Sequence, residues 1–218
     1  MAIRPPAPSA SIALETDSSG KLHAPSAARN ANDLCAAIAS IAPTAGQALE
    51  LASGTGQHII TFAAAMPTLQ WQPSELDPTR LTSITAYTAD SGLTNIAAPI
   101  RLNATQSGWS QTLDPKDLIT LANLLHLIST PEAETLITEA AKTLAPNGTL
   151  ALYGPFKRNG CLTSEGDKTF DANLRQHDPE TGYKNDQWVI STAAHAGLTH
   201  ATTIEMPANN LALIFQNS

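Results

Sequence analysis

The feature that most constrains the fold is a short apolar segment that runs into a glycine turn and then into a helical pattern. Residues 48–52 read Ala-Leu-Glu-Leu-Ala, which predicts a buried strand. Gly54 and Gly56 follow within Ser-Gly-Thr-Gly, and residues 57–65 are typical of a helix. A strand, a tight glycine turn and a helix in this order predict the first unit of a parallel sheet, because parallel strands need a crossover connection.

Strands and helices continue to alternate along the chain. Further strands are predicted at 69–76, 99–102, 117–122, 149–153, 199–205 and 211–216, and further helices at 32–41, 78–89, 131–144 and 186–196. Asn32 is the expected N-cap of the first helix, and Pro73 should interrupt the ladder of the second strand. The predicted fold is α/β, a Rossmann-like, doubly wound and mostly parallel seven-stranded sheet with an antiparallel closing strand. We expect a flexible arm over residues 1–22 and one domain over 23–218, with an insertion at about 154–198.

The charge balance favours a small-molecule ligand over nucleic acid. The 218-residue chain has 12 Lys and Arg against 19 Asp and Glu, a net charge of −7, so it offers few cations for phosphate contacts. No apolar stretch reaches the length of a membrane span, and Cys35 and Cys161 are too far apart in the chain for a disulfide framework or a zinc site. We therefore expect a cytoplasmic protein without a membrane, metal or nucleic-acid partner, and the oligomeric state stays open.

The glycine turn and the acids near it are typical of a site for an adenosine-containing ligand. A dinucleotide site would need a third glycine at position 59, which is Ile59. Glu50 lies inside an apolar strand, where an unpaired carboxylate is costly, so we expect it either to serve the ligand site or to order its loop. Glu75 and Asp77 follow the second strand, where a carboxylate can bind both ribose hydroxyls. The alternative for either acid is to cap the helix that begins at Pro78.

Longer stretches of the chain resemble a known family. The run from Leu49 to His58, Leu-Glu-Leu-Ala-Ser-Gly-Thr-Gly-Gln-His, resembles the opening motif of class I S-adenosylmethionine-dependent methyltransferases, and in detail that of the methyltransferase-like 26 family. Shorter matches to that family lie at 25–30, 71–78, 153–156, 163–164, 170–171, 174–175 and 206–210.

The resemblance implies that S-adenosyl-L-methionine is the cofactor. Asn103 stands where such enzymes often place an aspartate beside adenine, and its amide oxygen can still accept a hydrogen bond from the exocyclic amine. Trp109 either covers the adenine ring or anchors a loop, and His58 is interpreted as packing for the glycine loop. The implied cofactor-binding residues are Arg29, Asn30, Glu50, Ser53, Gly54, Gly56, Glu75, Asp77, Asn103 and Asn123.

The methyl acceptor is expected at the ends of the fourth and fifth strands and in the insertion at 154–198. Asn123, His126 and Tyr153 are the catalytic candidates. His126 is either a general base or a histidine satisfied inside an apolar segment. Asn209 and Asn210 suit a turn between the closing strands. The candidate substrate-binding residues are Tyr153, Phe156, Ser164, Phe170, Asp171 and Arg175.

Together these features predict an enzyme that transfers a methyl group to an oxygen, nitrogen or sulfur nucleophile of a small-molecule acceptor. Because the sulfonium already carries its leaving group, the protein mainly has to align the two reactants and exclude water, and a base is optional. The alternative is a non-catalytic, methyltransferase-like protein that binds the cofactor or acts by association. A nicotinamide oxidoreductase is disfavoured by the missing third glycine.

Overall fold

The computed structural model describes residues 14–15 and 19–218, and one eight-stranded sheet forms its centre. Along the sheet the strand order is β5-β4-β3-β6-β7-β10-β9, and β8 pairs with the end of β7. Within this sheet β10 is the one strand that runs opposite to the others, so the predicted α/β fold with a mostly parallel sheet is confirmed. The short strand β8 makes the sheet eight-stranded, where seven strands were predicted. The strands are β1 (Leu14–Glu15), β2 (Leu22–His23), β3 (Gly46–Leu51), β4 (Leu69–Glu75), β5 (Ile100–Arg101), β6 (Lys116–Ala122), β7 (Leu144–Lys157), β8 (Lys184–Asn185), β9 (Leu198–Glu205) and β10 (Asn210–Asn217).

Helices cover both faces of the sheet. They are α1 (Pro25–Ala39), α2 (Gln57–Ala65), α3 (Pro78–Ser91), α4 (Thr130–Thr143), α5 (Glu165–His177) and α6 (Asp186–His195). Because successive residues of a strand point to opposite faces, Ala48 packs in the core with α1, α2 and α3, whereas Leu49 packs in the core with α4 and α6. Within the described part of the chain, no helix has the length and apolar character needed to cross a membrane.

The first helix begins earlier than the sequence pattern predicts. Ala24 is its N-cap and Pro25 its first residue, a position where the fixed φ of proline suits a helix and its missing N–H is not needed. Asn32, the predicted N-cap, is an exposed residue within the helix, so that prediction was wrong. As a result, Arg29 and Asn30 both lie on α1.

Before α1, the two short strands β1 and β2 pair with each other in antiparallel orientation. The predicted flexible arm over residues 1–22 falls mostly on residues 1–13 and 16–18, which lie outside the described residues. The arm and its boundary with the domain therefore stay predictions.

Pro73 affects only one side of β4. The ladder from β4 to β3 runs through Pro73 without a register shift. On the side of β5, pairing is interrupted between Trp71 and Ser74, because proline has no N–H to donate. The expected interruption thus occurs where β4 meets the short edge strand.

The insertion at 154–198 contains a helix that the sequence analysis missed. The helix α5 begins after Ser164, whose side chain accepts from the Asp167 N–H while Asp167 accepts from the Ser164 N–H. This reciprocal pattern is a capping box with Asp at its third position. Buried positions of α5 include the polar residues Asp167 and Asp171, which hides the usual apolar stripe.

The carboxyl ends of the central parallel strands meet at one edge of the sheet. The chain leaves β3 for β4 on one side, whereas β6 lies on the other side of β3, which makes β3 and β6 the topological switch point. In open α/β sheets ligands bind outside the strand ends at this point. Because β10 is antiparallel, its first residue Asn210 lies at the same edge, opposite Pro155 of β7.

Candidate active site

The turn after β3 has two glycines with different surroundings. Gly54 and Gly56 have φ of +60° and +93°, in the left-handed region that favours glycine. A Cβ at Gly56 would lie 2.9 Å from the Cα of Ile84, so Gly56 lets α3 pack closely against the turn. A Cβ at Gly54 would have the Ala52 carbonyl oxygen at 4.0 Å as its nearest neighbour. Gly54 therefore has open space beside it, while Gly56 is needed by the fold itself.

The Glu75 carboxylate joins this turn to the end of β4. Its Oε2 accepts from the Gly54 N–H at 2.9 Å, and its Oε1 accepts from the N–H groups of Leu76 at 2.7 Å and Asp77 at 3.2 Å. Asp77 instead caps α3, accepting from the Thr79 N–H at 2.7 Å. Of the two acids considered for the ribose, Glu75 contacts the glycine turn and Asp77 has the capping role named as its alternative.

Glu50 and Thr120 are buried neighbours on β3 and β6 whose side-chain oxygens lack partners. They are paired in register, so their side chains project from the same face of the sheet. Within the described residues, Oε2 of Glu50 and Oγ1 of Thr120 have no hydrogen-bond partner. Burial raises the pKa of Glu50 from 4.5 to about 8, with a hydrogen bond from Ser53 opposing the shift and the charge of Glu75 adding to it. This spot fits a polar or cationic ligand group, because buried oxygens are normally hydrogen-bonded.

Four polar side chains from distant parts of the chain meet at the end of β7. Oη of Tyr153 accepts from Nδ2 of Asn30 at 3.2 Å and from Nδ2 of Asn210 at 3.1 Å. Oδ1 of Asn30 lies 2.7 Å from Nε2 of His58, at the start of α2. This network joins α1, α2, β7 and β10, and the His58 ring also stacks on Phe62 of α2.

The two titratable members of the network are uncharged at neutral pH. Burial raises the pKa of Tyr153, and the charge of Asp33 adds to this effect, whereas the hydrogen bonds from the two asparagines oppose it. Burial lowers the pKa of His58 to about 4, against a hydrogen bond to the backbone of Ala27. Arg29, which precedes Asn30, is exposed and has no ion-pair partner in the described part of the chain.

Asn123 lies where β6 ends beside β7. Its φ is +57°, in the left-handed region, and its N–H donates to the carbonyl oxygen of Tyr153 at 2.9 Å. Gly154 lies beside Asn123: a Cβ on this glycine would be 3.7 Å from Oδ1 of Asn123, an ordinary van der Waals contact. Asn123 therefore occupies the predicted place at the sheet edge.

His126 is enclosed by aromatic rings. Its ring centroid lies 5.8 Å from that of Phe170 and 6.1 Å from that of Tyr183. Burial, and after it the charge of Lys184, lowers the pKa of His126 to about 3. A histidine with this pKa is a weak base, which favours the alternative of a histidine satisfied inside an apolar segment.

The two residues considered for adenine have partners within their own loop. Oδ1 of Asn103 accepts from the N–H and the hydroxyl of Thr105, at 3.1 and 2.8 Å. Nε1 of Trp109 donates to the carbonyl oxygen of Ala104 at 3.1 Å, and the ring is buried. For Trp109 these contacts are those of the loop anchor named as its alternative.

Several predicted substrate contacts support α5 and the core. Ser164 caps α5, and Phe156 is only 2% exposed within the core that includes α4. Oδ1 of Asp171 accepts from the Tyr183 N–H at 2.6 Å, and its Oδ2 accepts from Nε of Arg175 at 2.9 Å. The side chains of these four predicted contacts, Phe156, Ser164, Asp171 and Arg175, therefore bind or pack against other parts of the protein. The hydroxyl of Tyr153, by contrast, lies at the edge of the sheet where the proposed site is.

Two residues at the site were missed by the sequence analysis. Asn210 forms a turn contact with Pro207, as expected, but it also binds Tyr153. Thr120 carries no sequence signal except its place in the strand that pairs with β3. The sequence signal that could have found Asn210 is the short match of residues 206–210 to the methyltransferase-like 26 family.

The fold is similar to that of several solved methyltransferases. The structure resembles an O-methyltransferase family protein from Burkholderia thailandensis (TM-score 0.74, 19% identity) and a putative O-methyltransferase from Nostoc punctiforme (TM-score 0.76, 16% identity). It also resembles human N-acetylserotonin methyltransferase in complex with S-adenosylmethionine (TM-score 0.73, 14% identity). Each match covers 88% of this chain but 57%, 56% and 53% of the other chain, so this chain spans little more than half of their length.

The chain belongs to a family described as "Protein of unknown function (DUF938)", whose model matches residues 21–217. That description names no activity. The finer resemblance to the methyltransferase-like 26 family therefore stays a prediction.

Proposed function

We propose that this protein transfers a methyl group from S-adenosylmethionine to an oxygen, nitrogen or sulfur nucleophile of a small-molecule acceptor. The observation that carries the proposal is a pair of buried oxygens, on Glu50 and Thr120 at the switch point of the sheet, that have no hydrogen-bond partner among residues 14–15 and 19–218. Buried polar atoms normally have partners, and a bound ligand would supply them. The methyltransferase fold supports the choice of ligand.

The residues at the ends of β3 and β4 fit this cofactor. Open space beside Gly54 would admit it, and the Glu50 carboxylate would face its positive charge. Bound S-adenosylmethionine would supply a methyl group on a sulfonium leaving group. The proposed contacts are Arg29, Asn30, Glu50, Ser53, Gly54, Glu75, Asn103 and Asn123, with Gly56 and Asp77 shaping the turns around them.

The contribution of the protein to the reaction is alignment. Tyr153 and Asn123 lie at the ends of neighbouring strands, beside the proposed cofactor site, and would orient the acceptor there. Holding two reactants in line lowers the barrier without a proton transfer. His126 is not needed as a base in this mechanism.

Two glycine variants test the proposed cofactor site. Gly54 and Gly92 have similar φ of +60° and +67°, and neither has a neighbour that a Cβ would contact closely. Alanine at either position should therefore strain the backbone by a similar amount, about 1 to 2 kcal/mol. Calorimetry should show at least about tenfold weaker binding of S-adenosylmethionine for Gly54→Ala and unchanged binding for Gly92→Ala.

The same experiment separates the competing functions. No binding of S-adenosylmethionine or S-adenosylhomocysteine by the wild-type protein at millimolar concentration would refute the proposal. Binding without methyl transfer to any acceptor would instead support the non-catalytic alternative.

A further inference from the structure

The hydroxyl of Tyr153 is held by two side-chain amides, each of which makes a second polar contact. Nδ2 of Asn210 donates to Oη of Tyr153 at 3.1 Å and to the carbonyl oxygen of Pro207 at 3.1 Å. A carbonyl only accepts, so the nitrogen of this amide, and not its oxygen, faces Tyr153. Nδ2 of Asn30 also donates to Oη of Tyr153, at 3.2 Å, and Oδ1 of Asn30 lies 2.7 Å from Nε2 of His58. This orientation of the Asn30 amide goes with the tautomer of neutral His58 that carries its proton on Nε2.

These two bonds leave the Tyr153 proton free for a ligand. A phenol oxygen can accept two hydrogen bonds and donate one. Asn30 and Asn210 supply both donors, and no described side chain accepts the Tyr153 hydrogen. Burial, which raises the pKa of Tyr153, keeps the proton on the oxygen at neutral pH. Tyr153 is therefore a fixed hydrogen-bond donor at the sheet edge and not a base.

The two nearby histidines and Glu50 are poor bases for an acceptor bound at Tyr153. His58 and His126 have pKa values of about 4 and about 3. Glu50 lies on β3, and β6 separates that strand from β7, which puts the two backbones about 10 Å apart. The nucleophile that suits this site is one that needs no deprotonation.

We propose that the acceptor is a small carboxylate: one of its oxygens accepts the Tyr153 hydroxyl hydrogen, and the other takes the methyl group to give a methyl ester. This inference rests on the proposed function. A lone pair of the attacking oxygen forms the O–CH₃ bond while the sulfur–methyl bond breaks and its electron pair stays on sulfur. The negative carboxylate and the positive sulfonium become a neutral ester and a neutral thioether, and no proton changes place.

The charged residues of α1 near Tyr153 have both signs, so the choice between an anionic and a cationic acceptor rests on the Tyr153 hydrogen. The charge of Asp33 acts on Tyr153 and raises its pKa. Arg29 is exposed on α1 next to Asn30 and is the only basic residue of that helix. A protonated amine has no lone pair to accept the Tyr153 hydrogen, so two hydrogen-bond donors, the ammonium and the hydroxyl, would face each other. An oxygen anion receives that hydrogen in a charge-assisted bond.

The first test measures binding rather than turnover. The protein is saturated with S-adenosylhomocysteine and titrated with benzoate or with benzylamine in a calorimeter. We expect benzoate to bind and benzylamine not to bind. Tyr153→Phe should weaken benzoate binding by about 10- to 100-fold, the loss of one hydrogen bond to a charged group. Tyr87→Phe, a change on α3 where the ring packs under Lys21, is the matched control and should leave it unchanged.

Asn30→Asp provides a second variant that keeps the shape of the side chain. A carboxylate at position 30 can accept the Tyr153 hydrogen and so turn it away from the acceptor. Benzoate binding should fall as it does in Tyr153→Phe, while the thermal midpoint stays near that of the wild type. Equal benzoate affinity in wild type, Tyr153→Phe and Asn30→Asp would overturn the assigned role of Tyr153.

The second test identifies the acceptor atom without identifying the acceptor. S-adenosylmethionine with a labelled methyl group is incubated with the protein and a deproteinised metabolite extract, and the products are treated with alkali. Methyl esters release labelled methanol, whereas methyl ethers, amines and thioethers keep the label. Labelled methanol supports a carboxylate acceptor. A stable product overturns this inference and leaves methyl transfer intact, and absence of transfer despite bound cofactor overturns the proposed function as well.

Discussion

Replacing Glu50 by glutamine should stabilise the ligand-free protein, although Glu50 is proposed to contact the cofactor. Glu50 is 2% exposed, and its Oε2 has no partner among the described residues. Ionising this carboxylate in the folded protein is unfavourable, because burial removes its hydration. Glutamine has nearly the shape of the protonated acid and carries no charge at any pH.

The size of the effect follows from the pKa of Glu50. Its pKa rises from 4.5 in the unfolded chain to about 8 in the fold, and each pKa unit corresponds to ~1.4 kcal/mol. Between these two pH values the folded protein keeps a proton that the unfolded chain releases, so stability falls as pH rises. Relative to pH 4.5, Glu50 should therefore cost the wild type about 3 kcal/mol at pH 7 and about 5 kcal/mol above pH 8.

Urea unfolding followed by tryptophan fluorescence at pH 5, 7 and 8.5 would measure this effect. The informative quantity is the difference in unfolding free energy between Glu50→Gln and wild type, because other titrating groups such as His58 cancel in it. That difference should be small at pH 5 and should grow in favour of the variant at pH 7 and 8.5. In calorimetry the same variant should bind S-adenosylmethionine more weakly than the wild type does.

Glu139→Gln is the matched control, since Glu139 is also 2% exposed. Burial alone would raise the pKa of Glu139, but bonds from Lys142, Ser110 and Gly108 bring it down to about 2. This carboxylate stabilises the fold above pH 4.5, and the contribution disappears only as pH falls toward 2. Glu139→Gln should therefore destabilise at all three pH values. A Glu50→Gln difference that is independent of pH, or that has the sign of Glu139→Gln, would refute the reasoning.

Two further predictions concern the neighbouring acids and α5. Glu75→Gln should weaken binding of S-adenosylmethionine by about 1 to 3 kcal/mol in calorimetry. Asp77→Ala should mainly lower the free energy of unfolding, by about 1 kcal/mol, because α3 loses its N-cap. The reverse pattern would assign the ribose contact to Asp77. Asp171→Ala should destabilise the fold by about 1 to 3 kcal/mol in urea unfolding, because the Tyr183 N–H loses its partner, and Arg175→Ala by less than about 1 kcal/mol. Both α5 variants should keep their affinity for S-adenosylmethionine within about tenfold, and a larger loss in folded variants would place α5 in the cofactor site.

Local patterns were enough to predict most of the sheet and the glycine turn with its neighbouring acid. The central strands β3, β6 and β7 contain short apolar runs next to turn residues, so the sequence pattern and the final burial agree there. Gly54 and Glu75 could be placed near each other because both belong to consecutive strand ends of one supersecondary unit. Helix α5 was not predicted because its buried face includes the carboxylates of Asp167 and Asp171, so the apolar periodicity that indicates a helix is missing there.

The Tyr153 network could not be predicted from local patterns. Asn30, Tyr153 and Asn210 come from widely separated parts of the chain and meet only because β10 pairs with β7 and α1 packs over the same edge. The position of β10 between β7 and β9 is a property of the whole sheet. A residue such as Asn210, which suits a turn by composition, shows its second role only when the strand order is known.

Two buried glutamates, Glu50 and Glu139, differ in how far the protein satisfies their hydrogen bonds. Glu139 receives donors from Gly108, Ser110 and Lys142, so its charge is matched within the chain and holds a loop against α4. Glu50 is equally buried, but one of its oxygens has no partner in the described part of the chain, and the same holds for the hydroxyl of Thr120, its neighbour on β6. The chain evidently has the means to satisfy a buried carboxylate, and it does so for Glu139 but not at the ends of β3 and β6. A buried carboxylate without a partner destabilises the protein more and more as pH rises from 4.5 to 8. A cationic ligand at the switch point would reverse that effect. The missing partner of Glu50 therefore supports the proposed cofactor site at the ends of β3 and β6.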